Sequence, residues 1–144
     1  MTVPTEVAEL IAGEALSAHV ATAVEDRPHV APVWYAYDDG VLSVLTGGRK
    51  LANVRQNPRV AVSIEKLREG APIWMVAMQG TAAVIEDPTR MQAARERIFP
   101  KYERGETDGG ATGTNEGGDP DEKGDEPTNA LIEISIGSAT VQRY

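Results

Sequence analysis

Apolar residues in this chain recur mostly at every second position, and in three stretches at every third or fourth. The first spacing predicts strands and the second helices. Pro4 to Glu14 carries Val7, Leu10 and Ile11 at helical spacing, with a proline in the first turn and Gly13 at the end. That predicts a short helix capping one end of the fold. Ser17 to Glu25 sets Val20, Thr22 and Val24 against His19, Ala21 and Ala23, a strand pattern, and Asp26-Arg27-Pro28 predicts the turn. His29 to Tyr37 is the returning strand. Pro32 has no N–H to give a ladder, so this strand belongs at an edge or carries a bulge.

Asp38-Asp39-Gly40 predicts a hairpin turn into the buried strand Val41 to Leu45. Thr46-Gly47-Gly48 breaks that strand, and Leu51 and Val54 then mark a short helix that Pro58 ends at Asn57. Arg59 to Glu65 is a strand with Val60, Val62 and Ile64 inward, and Lys66 to Pro72 reads as a charged loop. Ile73 to Asp87 is the longest strand, and its first half is apolar on both faces. In a barrel one face fills the interior, so the other calls for a partner subunit, which predicts a homodimer. Asp87-Pro88 opens a further helix through Met91, Ala94 and Ile98, with Pro100 disrupting its end. Ala130 to Ile136 and Ala139 to Arg143 are two strand-like runs around Gly137. Six or seven strands with short helices and no βα alternation predict a mostly β fold, an antiparallel barrel with helical caps.

Composition narrows the chemistry. At 144 residues the chain fits one domain, 1–144, and the absence of cysteine excludes disulfides, thiol catalysis and thiolate metal sites. Two histidines argue against an all-histidine metal centre, so no metal is expected. Asp119, Asp121 and Gly124 resemble the start of a calcium loop, but Lys123 and Ala130 stand where ligands would be needed. No signal-like start and no membrane-length apolar run is present, which predicts a cytoplasmic protein with no membrane partner. The net charge of −8 argues against nucleic acid as a partner. Between Arg104 and Glu126, eight acids face only Arg104 and Lys123, a net −6, and seven of the fourteen glycines lie there. That segment predicts a mobile loop, leaving the body nearly neutral.

The candidate chemistry is at Arg49-Lys50. The first turn of a helix favours acids, so two cations there are unfavourable until an anion is bound. Free backbone N–H groups, the Thr46 hydroxyl and both cations would then converge on a phosphate. His19 and His29 are placed near each other by the first hairpin, where ordinary structural roles are the expectation. No acid–base constellation is visible, and the catalytic residues are unknown at this stage.

Arg-Pro-His-Val-Ala-Pro-Val-Trp-Tyr (27–35), Asp-Gly-Val-Leu (39–42), Thr46-Gly-Gly-Arg49-Lys50-Leu-Ala-Asn53 and Asn57-Pro-Arg-Val-Ala-Val resemble, in order, the pyridoxamine 5′-phosphate oxidase-like split-barrel flavoproteins. The resemblance implies an FMN-binding split barrel, with the flavin held at the interface of a homodimer and passing hydride or electrons to a small-molecule substrate. It implies that Thr46, Arg49 and Lys50 hold the FMN phosphate, and that Pro32, Val33 and Trp34 run along the ring, Leu45 completing the cofactor-binding set. Ala31 and Ala36 stand where the vitamin oxidases carry Arg and Lys, Met75 where they carry Gln, and their C-terminal Arg and His have no counterpart, so vitamin B6 oxidation is not expected. A deazaflavin-dependent reductase of the same fold, a non-catalytic flavin-binding module and a cofactor-free interaction domain are the alternatives.

Overall fold

In the computed structural model, residues 3–103 and 130–144 are described; the acidic segment predicted over 104–126 lies outside them. Ten elements follow in order: α1 (Thr5–Ala12), β1 (Ala18–Val24), β2 (Arg27–Val33), β3 (Ala36–Asp38), β4 (Val41–Thr46), α2 (Gly48–Gln56), β5 (Arg59–Arg68), β6 (Ala71–Ile85), α3 (Pro88–Glu103) and β7 (Ala130–Arg143). The strands form one antiparallel sheet in the order β2-β1-β5-β6-β7-β4-β3. The expected mostly β split barrel with short helices is what forms.

Curvature of the sheet follows from its connectivity. Its outermost strands, β2 and β3, are joined through Trp34 and Tyr35 alone. Three virtual bonds from Val33 to Ala36 span at most about 11 Å, whereas seven strands laid flat would put their edges about 29 Å apart. The sheet therefore curls until its edges meet. The edges are not paired with each other among the described residues, which leaves the barrel split. The sequence had predicted one strand from His29 to Tyr37. Its apolar run is unbroken, but the inward alternation slips at Tyr35-Ala36, both buried, and the chain changes edge there.

Inside, Val20, Val33, Leu42, Val44, Val62, Ile64, Val76, Met78, Ile132 and Ile134 form one cluster with Val7 and Ile11 of α1 and Leu51 and Val54 of α2, so α1 caps the barrel as predicted. A second cluster lies outside the sheet, where Ala94, Ile98 and Tyr102 of α3 cover Leu45 and Leu131. Trp34 belongs to it, stacked on Tyr102 (4.6 Å between ring centres, 10° between planes) with Phe99 edge-on at 5.8 Å. The Tyr102 hydroxyl accepts from the Tyr35 backbone N–H at 3.1 Å and donates to the Leu16 carbonyl, while the Tyr35 hydroxyl donates to the Ile11 carbonyl at 2.6 Å. The two-residue link is thus clamped to α1 and α3, and through Tyr102 to Leu16 in the segment before β1.

The tight turns depart from expectation in informative ways. Asp39-Gly40 is the predicted hairpin turn, with both residues at positive φ. The β1–β2 turn falls one residue early, on Glu25-Asp26, both also at positive φ, and the charged loop over 66–72 shrinks to Glu69-Gly70 because β5 runs on to Arg68. Pairing with the neighbouring strand extends both ladders beyond what side-chain alternation marks. Pro100 does not end α3, which continues through it to Glu103. The two C-terminal runs are one strand, and Gly137 is a bulge opposite the Gln79/Gly80 step. Gly80 sits against that bulge: a Cβ there would lie 2.6 Å from the Ser135 carbonyl oxygen and 2.9 Å from an Ile134 methyl.

Gly80→Ala is expected to cost about 1–3 kcal/mol, because backbone must move to admit the methyl; a urea titration should show the midpoint falling while the slope holds. Burial pushes the Tyr35 phenol well above its ordinary pKa of 10.0, with Tyr102 and Glu14 adding to it, and burial likewise raises Tyr102, an effect the Tyr35 backbone hydrogen bond opposes. Above about pH 10 the unfolded chain therefore holds fewer protons than the folded one, and stability should fall as pH rises. Tyr102→Phe should lose about 1–3 kcal/mol at neutral pH, since it leaves the buried Tyr35 N–H unsatisfied, yet show a shallower alkaline decline; thermal melts at stepped pH read both.

Candidate cofactor-binding groove

The helix α2 follows β4 after the Gly47 break and packs Leu51 and Val54 into the barrel end. Its register is pinned from outside. The Asn53 side chain donates to the Thr22 hydroxyl and the Asn57 side chain to the Ala23 carbonyl, both at 2.9 Å. The N-cap residue Gly47 offers no side-chain cap, and the first turn holds no acid.

Arg49, Asn53 and Gln56 share one face of α2, four and seven residues apart, and that face meets the inner side of the β1–β2 hairpin. Between them lies a groove of about 530 Å³ lined by Val24, Glu25, Arg27, Pro28, His29, Arg49, Asn53 and Gln56. Two guanidinium groups and an imidazole against one carboxylate make this an anion-attracting wall. Helical spacing could have revealed Asn53 and Gln56 as members; Arg27 and His29 required the hairpin register, in which Thr22 faces His29 and Val24 faces Arg27.

The seven candidate residues do not all meet here. Arg49 is exposed on the groove. Thr46 and Lys50 are buried and line a small apolar cavity inside the barrel with Val20, Val44, Val54, Val60, Ile132 and Ile134. Arg49 and Lys50 are adjacent on a helix and so point about 100° apart; the expected convergence of both cations with Thr46 on one anion is not seen. Pro32 is exposed on the edge strand β2, Val33 is in the barrel core, Trp34 is stacked under α3 and Leu45 is buried against it. The two histidines lie on opposite faces of the hairpin: His19 is opposite Pro32 and points outward, while His29 is opposite Thr22 on the inner side. They do not face each other.

On the outer face of the sheet a shallow groove of about 380 Å³ runs over His19, Ala21, Val30, Ala61, Ser63, Ala77, Gln79, Ser138 and Thr140. Gln79, unremarked in the sequence, is exposed there on the long strand, four residues beyond Met75. Among the described residues no group of three or more acids and histidines gathers in a way that could hold a metal ion, and no helix is long and apolar enough to cross a membrane.

The fold is shared by solved structures. A FAD-binding protein from Mesorhizobium loti superposes with a TM-score of 0.66 at 19% identity, covering 98% of this chain and 95% of that one. An F420 reductase superposes at 0.62 with 21% identity, covering 96% of this chain and 98% of its own. The FAD-binding protein of Mycobacterium smegmatis does so at 0.61 with 15% identity, covering 99% and 94%. At such identities the likeness concerns the fold. No curated protein matches the sequence significantly. The sequence pattern of pyridoxamine 5′-phosphate oxidase, by contrast, matches residues 4–143, and with it the chain belongs to the pyridoxamine 5′-phosphate oxidase family.

Proposed function

We propose that this protein is a flavin-dependent oxidoreductase that binds FMN with its phosphate in the α2 groove. The observation that carries this reading is Arg49, exposed on the acid-free first turn of α2 and facing Arg27 and His29 across a space of about 530 Å³. A phosphate there would meet charge-assisted donors and the favourable end of the helix dipole. The groove also contains Glu25, which sits on the turn at its rim and favours an orientation with the phosphate toward Arg49. The relatives with this fold that bind FAD or act with F420, a deazaflavin, support a flavin-type ligand.

A bound flavin would supply the hydride and electron chemistry. The chain's own residues bind, orient and shield. Arg49 and Arg27 neutralise the phosphate, and Asn53 holds α2 on β1 so that Arg49 keeps its place. Thr46 and Lys50 act from beneath, filling the barrel end on which the first turn rests. Pro32 leaves the outermost strand without one N–H, an edge along which a ring could lie. Trp34 and Leu45 support that edge by their packing against α3 rather than by reaching a ring. A second copy of the chain would cover the outer face of β6, where Ile73 and Met75 are only half-buried.

The purified protein should show the two-banded yellow absorption of an oxidised flavin, or acquire it on adding FMN. Arg49→Ala should weaken FMN binding about tenfold to a hundredfold, the value of one or two charge-assisted hydrogen bonds, with an unchanged urea midpoint. FMN affinity equal to that of the unaltered protein would place the phosphate elsewhere. Binding of a deazaflavin in preference to FMN would move the protein to the reductase reading, and binding of neither would end the flavin reading.

A further inference from the structure

The α2 groove is larger than a phosphate alone requires. At about 530 Å³ it falls in the range of pockets that hold a whole small ligand, about 300–1,000 Å³. Apart from Val24 and Pro28 its lining is charged or hydrogen-bonding, which suits a sugar phosphate and not a flat apolar ring. We infer that its half nearest the hairpin turn is a subsite for the ribose of a nucleotide joined to the flavin through a second phosphate. A flavin dinucleotide would then fill a groove that FMN occupies only in part. This rests on the proposed phosphate site at Arg49 and extends it.

The first support is how helix and hairpin lie against each other. Asn53 donates to Thr22, and Asn57, one helical turn later, donates to Ala23, one residue nearer the hairpin turn. The C-terminal end of α2 therefore lies at the tip of the hairpin, and its first turn lies away from it. Seven residues separate Arg49 from Gln56, about 10 Å along the helix. The same order repeats on β2: Pro32 is far from the turn, His29 is opposite Thr22, and Arg27 closes the ladder opposite Val24. A flavin with its phosphate at Arg49 and its ring toward Pro32 leaves Arg27, Glu25 and Gln56 at the tip unfilled. The groove is on the inner side of the hairpin, so a second copy over the outer face of β6 does not cover it.

The second support is the chemistry of that tip. Arg27 stands two residues nearer the turn than His29, about 7 Å on, and offers a guanidinium to a second phosphate. Glu25 is the sole carboxylate lining the groove. Its oxygens accept hydrogen bonds and donate none, so it opposes a phosphate and suits a pair of neighbouring hydroxyls. A carboxylate close to a pyrophosphate holds a ribose hydroxyl in the doubly wound dinucleotide folds. The Gln56 amide, which donates as well as accepts, would serve the same hydroxyls from the helix side. With Glu25 engaged by hydroxyls, Arg27 and Arg49 match the two charges of a pyrophosphate diester. The two-residue turn, with Glu25 and Asp26 both at positive φ, leaves the carboxylate's backbone little slack.

FMN and FAD are the probes, titrated separately into the full chain freed of any flavin it retains and followed by calorimetry. FAD should bind at least about tenfold more tightly than FMN, the value of one or two hydrogen bonds to a charged group. Glu25→Ala should remove that preference and leave FMN affinity and the urea midpoint as they were. Arg49→Ala should weaken both flavins alike. Equal binding of the two, tighter binding of FMN, or a preference for FAD that survives Glu25→Ala would each overturn the inference and leave the FMN reading standing. So would a gain in FAD affinity with Glu25→Ala, which makes the carboxylate a barrier to the second phosphate. Equal weakening of both flavins by Glu25→Ala would place the carboxylate on the ribityl chain and overturn it too. Indifference of both flavins to Arg49→Ala would instead fail the phosphate site on which it rests, and binding of neither flavin would end both readings.

Discussion

The two residues between Val33 and Ala36 constrain everything else. Because Trp34 and Tyr35 connect the outermost strands, the sheet has no freedom to lie flat, and every inward residue faces others across an enclosed volume. A link so short has to be fixed firmly. Burying Tyr35 completely, and giving both its backbone N–H and its hydroxyl a partner from other elements, does that. Tyr102 is the counterpart on α3, which explains why a helix with little apolar character on its other faces stays on the barrel.

The position of the candidate groove is a consequence of the same closure. A curled sheet has open ends, and α2 fills one with Leu51, Val54 and the stem of Lys50. Once that face is committed to the interior, the neighbouring face with Arg49, Asn53 and Gln56 must turn toward the β1–β2 hairpin. Hydrogen bonds from Asn53 and Asn57 then set the distance between helix and hairpin. The groove is the space these bonds hold open.

Much of this was legible in the sequence, and the misses have physical reasons. Alternation at Val60, Val62 and Ile64, the Asp39-Gly40 turn and the Leu51/Val54 stripe each depend on neighbours within a few residues, so they could be read locally. The break after Val33 could not, because Val-Trp-Tyr-Ala suits a continuous strand and only the tertiary clamp splits it. Glu25-Asp26 carries no glycine or asparagine to mark its positive φ. Lys50 shows the limit of charge as a guide. A motif that pairs two cations suggested one shared role, yet helical geometry sends one to the groove and the other inward. Arg49 could be read from sequence; its companions Arg27 and His29 came from hairpin register.

Strand order has a further consequence, in time rather than space. The hairpins β1–β2 and β3–β4 are made of sequence neighbours but sit at opposite ends of the sheet. Nothing pairs one with the other. Among the described residues only β7 bonds to both β6 and β4, so until residues 130–143 are in place the chain can hold a four-stranded sheet and a separate hairpin, tethered by Trp34-Tyr35 on one side and by α2 on the other. Closure belongs to a strand that follows the other six along the chain, and the barrel has no interior before it pairs.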